Sequence, residues 1–302
     1  MRTALFLLAA CFFSVAHAAE KIEAWQPVVW NGERALVSSV PGWKAIVSLE
    51  RGRLVHFGPA GTETNLLFAT STRDNPLGWG GHRLWLGPQK SWDQGWPPPA
   101  AWEHSGAESF TSVDGALRLV LPDAGQGWPR LTRTYRWSGA RLLCGVELRG
   151  GTRDAQIIQI VQIPESALVD LVPEPNKAAP NGYVQLPSLA TREFTANFTP
   201  PAHVTSSGAM VTLRHLDGIQ KLGFAPQTIQ ARQKSFSLSV SRVDQSGIVV
   251  NEPDAGFFTQ VYLGGNEAFI ELEQLTPTYS RSPSATFTIS LEGSTREAVS
   301  AK

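Results

Sequence analysis

In residues 130–137, RLTRTYRW, polar positions alternate with mostly apolar ones, and this period of two indicates the fold class. Successive side chains of a β-strand point to opposite faces, so Leu131 lies opposite Thr132 and Tyr135 opposite Arg136. Residues 235–241, SFSLSVS, repeat the pattern, with three apolar side chains on one face and serines on the other. Both segments are predicted to be strands that bury one face.

Similar runs recur along the chain. They occupy Ala45–Leu49, Arg53–Phe57, Ala116–Leu121, Arg141–Arg149, Gln156–Ile163, Ala209–Arg214, Phe258–Leu263, Ala268–Glu273 and Thr286–Leu291. Turn-forming pairs such as Asp114-Gly115 and Asn181-Gly182 separate or close them. With 27 glycines and 21 prolines, the pattern predicts an all-β sandwich or barrel. The one helical candidate, Ala100–Gly106, is short.

The overall composition and charge of the chain exclude some classes of binding partner. Charged residues make up 17% of the 302 residues, the apolar share is 42%, and the formal net charge is zero. These values argue against disorder, and the absence of a basic run argues against nucleic acid or anionic lipid as a partner. No change of composition marks a domain boundary, and Pro173–Pro187 is interpreted as a long loop. We therefore expect a single domain; the oligomeric state is left open.

The N-terminus resembles a secretory signal. Arg2 precedes an apolar run too short to span a bilayer, and Ala16-His17-Ala18 is a small-x-small cleavage site. We expect residues 1–18 to be a signal peptide, residues 19–302 to be the domain, and the protein to be secreted or periplasmic. A lipoprotein box ending at Cys11 is the alternative, and would add a lipid anchor. No later run is long enough for a membrane span.

Residues 78–104, GWGGHRLWLGPQKSWDQGWPPPAAWEH, hold five of the ten tryptophans. Indole rings stack on the apolar faces of sugars, but they also fill sandwich cores. The composition alone leaves a ligand cleft and a packed core equally open.

Two predicted strands place polar side chains within apolar rows. In Phe269–Pro277 alternation puts Glu271 and Glu273 on one face, about 7 Å apart. This suits a general base beside a binding group, or a solvated strand face. In the Gln156–Ile163 segment, Gln159 is either a core amide or a ligand contact. No nucleotide, zinc or calcium motif is present, so neither a cofactor nor a metal is expected.

Four stretches resemble the galactose-mutarotase-like superfamily, specifically a bacterial family of undefined function. They are Ala45–Phe57 followed by Asn65-Leu-Leu-Phe68, Gly80–Pro88 with Trp96-Pro-Pro-Pro99, Gln156–Pro164, and Pro253-Asp254 with Ile270–Glu273 and Thr276-Pro277. The resemblance implies an all-β, galactose-mutarotase-like β-supersandwich and a carbohydrate ligand in a cleft on one sheet.

The resemblance also implies roles for individual residues. Mutarotases use an early Arg to bind sugar, a mid-chain His as the acid on the ring oxygen and a late Glu as the base. Arg83 matches the first and Glu273 resembles the last, but residues 156–164 contain no histidine. His82 is the candidate proton donor, although it does not occupy the matching position. The candidate ligand contacts are Arg83, Trp79, Trp85, Trp96, Gln159 and Glu271.

Three hypotheses follow from these observations. The preferred one is a carbohydrate-binding protein, with an aldose-epimerase-type reaction as its enzymatic version. The second is a non-catalytic glycan-binding module. The third is a cell-envelope scaffold whose tryptophans are core.

Overall fold

The computed structural model describes most of the chain from residue 24 onward. The described residues are 24–70, 79–88, 99–177, 179–186, 204–207, 209–216, 219–253, 256–264, 267–280 and 284–296. The expected signal peptide, Cys11 and Trp96 lie outside them, so those predictions stay predictions.

One short helix and many strands make up the described chain. The helix is α1 (Ala100–His104). The strands are β1 (Gln26–Trp30), β2 (Glu33–Val40), β3 (Trp43–Ser48), β4 (Arg53–Pro59), β5 (His82–Gly87), β6 (Ser109–Val113), β7 (Ala116–Val120), β8 (Arg130–Ser138), β9 (Arg141–Arg149), β10 (Ala155–Pro164), β11 (Leu168–Leu171), β12 (Tyr183–Leu186), β13 (Val204–Ser207), β14 (Met210–Arg214), β15 (Ile219–Phe224), β16 (Thr228–Gln233), β17 (Phe236–Ser246), β18 (Val249–Asn251), β19 (Thr259–Gly264), β20 (Phe269–Tyr279) and β21 (Ser284–Thr295).

Within the described residues the strands form three sheets. A four-stranded sheet has the order β1-β2-β3-β4, and a seven-stranded sheet has the order β12-β15-β19-β20-β10-β5 with β18 beside β20. A ten-stranded sheet has the order β13-β14-β11-β16-β17-β21-β9-β8-β7-β6. The chain is therefore an all-β sandwich, as its period of two predicts.

The core lies between the seven-stranded and ten-stranded sheets. Leu84, Ile157 and Leu272 from the first share one apolar cluster with Tyr135 and Ile289 from the second. The four-stranded sheet adds side chains to the same cluster, and the Trp43 ring stacks on Phe57 with centroids 5.6 Å apart. Cys144 is fully buried in this core, which agrees with its reading as a small apolar side chain.

The predicted strands agree with the observed ones apart from their ends. The 130–137 segment becomes β8 and the 235–241 segment becomes most of β17. The Pro173–Pro187 loop prediction is wrong near its end, where β12 pairs with β15. The described chain contains no helix of the length and apolar character that crossing a bilayer requires.

Candidate functional site

Alternation along β20 divides its side chains between two faces of the seven-stranded sheet. Ile270 and Leu272 point into the core, so Glu271 and Glu273 point to the opposite face, which we call the site face. The two carboxylates share this face as predicted, but it is not a solvated strand face. Glu271 is 4% exposed and Glu273 is 1% exposed. Buried carboxylates need partners to remain charged.

Neighbouring strands supply those partners through their register. Glu273 pairs with Ile160, which pairs with Arg83 on the other side, so the Arg83 side chain also lies on the site face. Glu271 pairs with Gln162 of β10 and Tyr262 of β19. Directly paired residues of antiparallel strands share a face, so these side chains meet. The strand beyond β19, β15, adds the side chain of Lys221, which pairs with Tyr262.

A chain of ion pairs crosses the site face. Arg83 Nη1 donates to Glu271 Oε1 at 3.0 Å, and Arg83 Nε lies 3.4 Å from Glu103. Glu103 comes from α1, and it also accepts from Arg53 Nη2 at 3.1 Å and from Trp85 Nε1 at 3.0 Å. Charge-assisted bonds of this kind are among the stronger ones in proteins. The helix is therefore tied to the sheet by a carboxylate between two guanidinium groups.

A second ion pair and a glutamine complete the cluster. Lys221 Nζ donates to Glu273 Oε2 at 2.9 Å, and Gln162 Nε2 donates to Glu271 Oε1 at 2.7 Å. Buried polar atoms on this face with no hydrogen-bond partner among the described residues include Arg83 Nη2, Gln156 Oε1, Gln162 Oε1 and Gln260 Oε1. Buried polar groups are normally paired, and these atoms on the site face are therefore available to bind a polar ligand.

The pKa values of the two carboxylates bonded to Arg83 are shifted in opposite directions. Burial opposes ionisation of Glu103, but the charges of Arg53 and Arg83 outweigh it and lower the pKa of Glu103 to about 2. Burial raises the pKa of Glu271 to about 7, because the opposing charge of Arg83 is partly offset by that of Glu273. Glu103 is therefore a permanent anion, whereas Glu271 exchanges a proton near neutral pH.

The described tryptophans of the 78–104 segment are packed side chains that also contact arginines. Trp85 is buried against Ile158, Ile160 and Leu275, and the Arg83 guanidinium lies 4.6 Å from the centroid of its ring. The Trp79 ring lies near two further guanidinium groups, those of Arg51 at 5.3 Å and Arg53 at 5.7 Å. Both rings support the arginines of the site through cation–π contacts.

His82 and Gln159 are separated from this cluster, which corrects their grouping with Glu273. The His82 ring lies 6.1 Å from the Tyr135 ring, and Gln159 Nε2 donates to the carbonyl of Phe287 at 3.0 Å. Both partners belong to the ten-stranded sheet, so both side chains point into the core. Burial and the charge of Arg133 lower the pKa of His82 well below its usual value, so it is a neutral core residue.

Several site residues escaped sequence analysis. Glu103 lies at the end of the short helical candidate, and Lys221 is a single lysine in an apolar strand. Arg53 could have been identified from the sequence, because it directly precedes the apolar residues of a predicted strand. In the structure every residue of that strand is buried. Gln162 shares a face with Ile158 and Ile160, so alternation along 156–163 is the sequence signal that could have identified it. The described residues contain no group of His, Cys, Asp and Glu arranged to hold a metal ion.

Comparison with known proteins addresses the fold. No protein-family model matches the sequence, and no curated protein matches it. Solved structures do match. A proposed aldose 1-epimerase from Escherichia coli K12 has a TM-score of 0.58 at 11% identity, covering 84% of this chain and 97% of its own. Galactose 1-epimerase from Lactobacillus acidophilus has a TM-score of 0.53 at 11% identity, covering 92% and 100%.

A proposed mutarotase from Salmonella typhimurium also matches, with a TM-score of 0.55 at 11% identity over 92% of this chain and 96% of its own. The match extends over nearly all of each chain, so it concerns the whole architecture and not one motif. The chain has the galactose-mutarotase-like fold. This confirms the fold class inferred from the sequence.

Proposed function

We propose that this protein is a sugar-binding enzyme of the aldose 1-epimerase type, with the sugar held against the site face. The observation that carries the proposal is the buried cluster of Arg83, Glu271, Glu273 and Lys221 on one face of a mutarotase-like sheet. A purely structural sheet face would gain little from burying four charges, because desolvation offsets most of their attraction. Functional sites are where such clusters concentrate.

Each group has a chemical task in this proposal. Glu273 takes the proton of the anomeric hydroxyl, while Lys221, bonded to its other oxygen, fixes its orientation. The free Nη2 of Arg83 and the free oxygens of Gln162 and Gln260 hold sugar hydroxyls. As the hydroxyl proton leaves, the bond from the anomeric carbon to the ring oxygen breaks, the ring oxygen takes up a proton and the aldehyde forms. Closure on the other face of the carbonyl, with both proton transfers reversed, gives the other anomer.

Anomer interconversion measured by NMR exchange across a panel of aldoses tests the proposal. We expect wild type to accelerate exchange for at least one sugar, and Glu273→Gln to lower kcat by 10²- to 10⁴-fold, the range for loss of a general base. Asp170→Asn is the matched control, because Asp170 is a buried carboxylate paired with Arg232 on the ten-stranded sheet. No acceleration by wild type with any sugar, or full activity in Glu273→Gln, would refute the enzymatic proposal.

A non-catalytic sugar-binding module is the second candidate. Its supporting observation is that the strands of the site face, as far as the structure describes them, carry no histidine pointing to that face. This candidate predicts saturable binding by calorimetry without faster anomer exchange. Arg83→Met should then abolish binding while circular dichroism remains unchanged.

We also propose that the protein is exported, on the basis of residues 1–18 alone. Cell fractionation of the full-length chain, with N-terminal sequencing of the product, tests this. A mature N-terminus at Ala19 supports simple secretion, and an acylated Cys11 supports the lipid anchor. An uncleaved cytoplasmic product would refute both.

A further inference from the structure

An epimerase needs a proton donor for the ring oxygen as well as a base. The only histidine in the described strands of the seven-stranded sheet is His82, and its ring lies in the core. Among the described residues, a donor for this site has to come from another group on the site face. The ionisable side chains that the structure describes there are those of Arg53, Arg83, Glu103, Lys221, Tyr262, Glu271 and Glu273.

Most of these groups are unsuited to giving up a proton. Arginines keep their proton in proteins, and Glu103 is an anion between two guanidinium groups. Burial and the charge of Glu271 raise the pKa of Tyr262 to about 12. Lys221 is held by Glu273, the proposed base. The remaining group is Glu271.

Hydrogen bonding at Glu271 is one-sided. Both of its neighbours, Arg83 Nη1 and Gln162 Nε2, donate to Oε1. No hydrogen bond from the described residues reaches Oε2. The bonds to Oε1 fix the plane of the carboxyl group and leave Oε2 as the atom that can carry and donate a proton.

Glu271 and Glu273 also lie near one another on the site face. They lie two residues apart on one strand, so their Cα atoms are about 7 Å apart. The ring oxygen and the anomeric hydroxyl are both bonded to the anomeric carbon. A sugar lying between the two carboxyl groups can present one oxygen to each.

We propose that Glu271 is the general acid of this site and protonates the ring oxygen while Glu273 deprotonates the anomeric hydroxyl. This inference rests on the proposed function. As the bond from the anomeric carbon to the ring oxygen breaks, the C=O bond of the aldehyde forms. Rotation of the aldehyde and reversal of both proton transfers give the other anomer. Glu271 regains its proton and Glu273 loses one, so no other reactant is needed.

The protonation state of Glu271 agrees with this role. Its pKa of about 7 results from burial, with the charges of Glu273 adding and those of Arg83 and Lys221 opposing. A carboxyl group whose pKa is raised towards neutral pH by burial is suited to act as a general acid. Since the acid form is required, kcat should fall tenfold per pH unit above about pH 7.

The test is anomer exchange from pH 4 to pH 9 in wild type, Glu271→Gln, Glu271→Asp and the control Asp170→Asn. We expect Glu271→Gln to lose 10²- to 10⁴-fold in kcat with a much smaller change in KM. In Glu271→Gln the decrease of kcat above pH 7 should also disappear. Glu271→Asp should have a lower kcat but still show that decrease. A purely structural role would lower activity without changing the shape of the pH profile.

Carbonyl infrared difference spectra of wild type minus Glu271→Asp give a readout that needs no sugar. We expect a protonated carboxyl band that disappears with a midpoint near pH 7. A midpoint near the ordinary value of 4.5, or a Glu271→Gln variant that retains the wild-type rate, overturns the inference while the proposed function stands. If wild type accelerates anomer exchange for no sugar, both the inference about Glu271 and the proposed enzymatic function are refuted. If Glu271→Gln does not fold, the spectra and the wild-type profile decide.

Discussion

Replacing Glu103 by glutamine is expected to lower the free energy of unfolding by about 3–4 kcal/mol at neutral pH. The Glu103 side chain is 1% exposed, and its pKa is lowered from the ordinary 4.5 to about 2 by Arg53 and Arg83 after burial has opposed the shift. A tenfold change in a proton dissociation constant is worth about 1.4 kcal/mol, which gives the stated loss. Removing one partner of a buried ion pair generally costs about 3–5 kcal/mol.

The pH dependence follows from the sign of the shift. A carboxylate whose pKa is lower in the folded state stabilises the protein at pH values above 4.5. That contribution is lost as the pH falls from 4.5 towards 2. The difference between wild type and Glu103→Gln should therefore be full at pH 7 and should shrink steadily below pH 4.5.

Urea unfolding followed by tryptophan fluorescence measures this difference, and Glu108→Gln is the matched control. Glu108 also accepts from an arginine, Arg130, at 2.6 Å, but both side chains are about half exposed. Exposed pairs contribute about 0–1 kcal/mol. If Glu103→Gln costs no more than Glu108→Gln, or if its deficit is the same at pH 3 as at pH 7, the electrostatic reasoning is refuted.

Two further predictions concern the core. Gly293→Ala should destabilise by about 1–3 kcal/mol through overpacking, because its Cβ would lie 2.2 Å from the Trp43 ring. Gly145→Ala, whose nearest contact would be 3.6 Å, should show no comparable loss in the same denaturant titration, and equal losses would contradict the prediction. Burial raises the pKa of the Cys144 thiol, so in a Cys11→Ser background a chromogenic disulfide should label Cys144 only after unfolding. Rapid labelling of the native protein would disprove this.

The sequence was sufficient for the strands because alternation is a local property. It also placed Glu271 and Glu273 on one face, which the register confirms. The same rule could have separated His82 from Arg83, since adjacent residues of a strand cannot both face one cleft. The ion-pair partners could not be predicted from the sequence, because the pairing of Lys221 with Glu273 depends on which strands become neighbours.

The tryptophan-rich segment was ambiguous for a related reason. Composition measures how much aromatic surface is present, but not what covers it. In the structure Trp79 and Trp85 lie against guanidinium groups, so their contribution to the site is to hold charges in place. That arrangement requires Arg51, Arg53 and Arg83 from different parts of the chain.

The buried strand β20 restricts how a gene for this protein can vary. All eleven of its residues, Phe269–Tyr279, are buried, and up to Leu275 alternate ones serve the core and the site face before a register shift. Inserting or deleting one codon ahead of Glu271 would turn both carboxylates into the core and bring Ile270 and Leu272 to the site face. Descendants of this gene can therefore exchange residues within the strand, but a one-codon length change ahead of Glu271 is tolerated only if a bulge like the one opposite Gln156–Ile158 absorbs it.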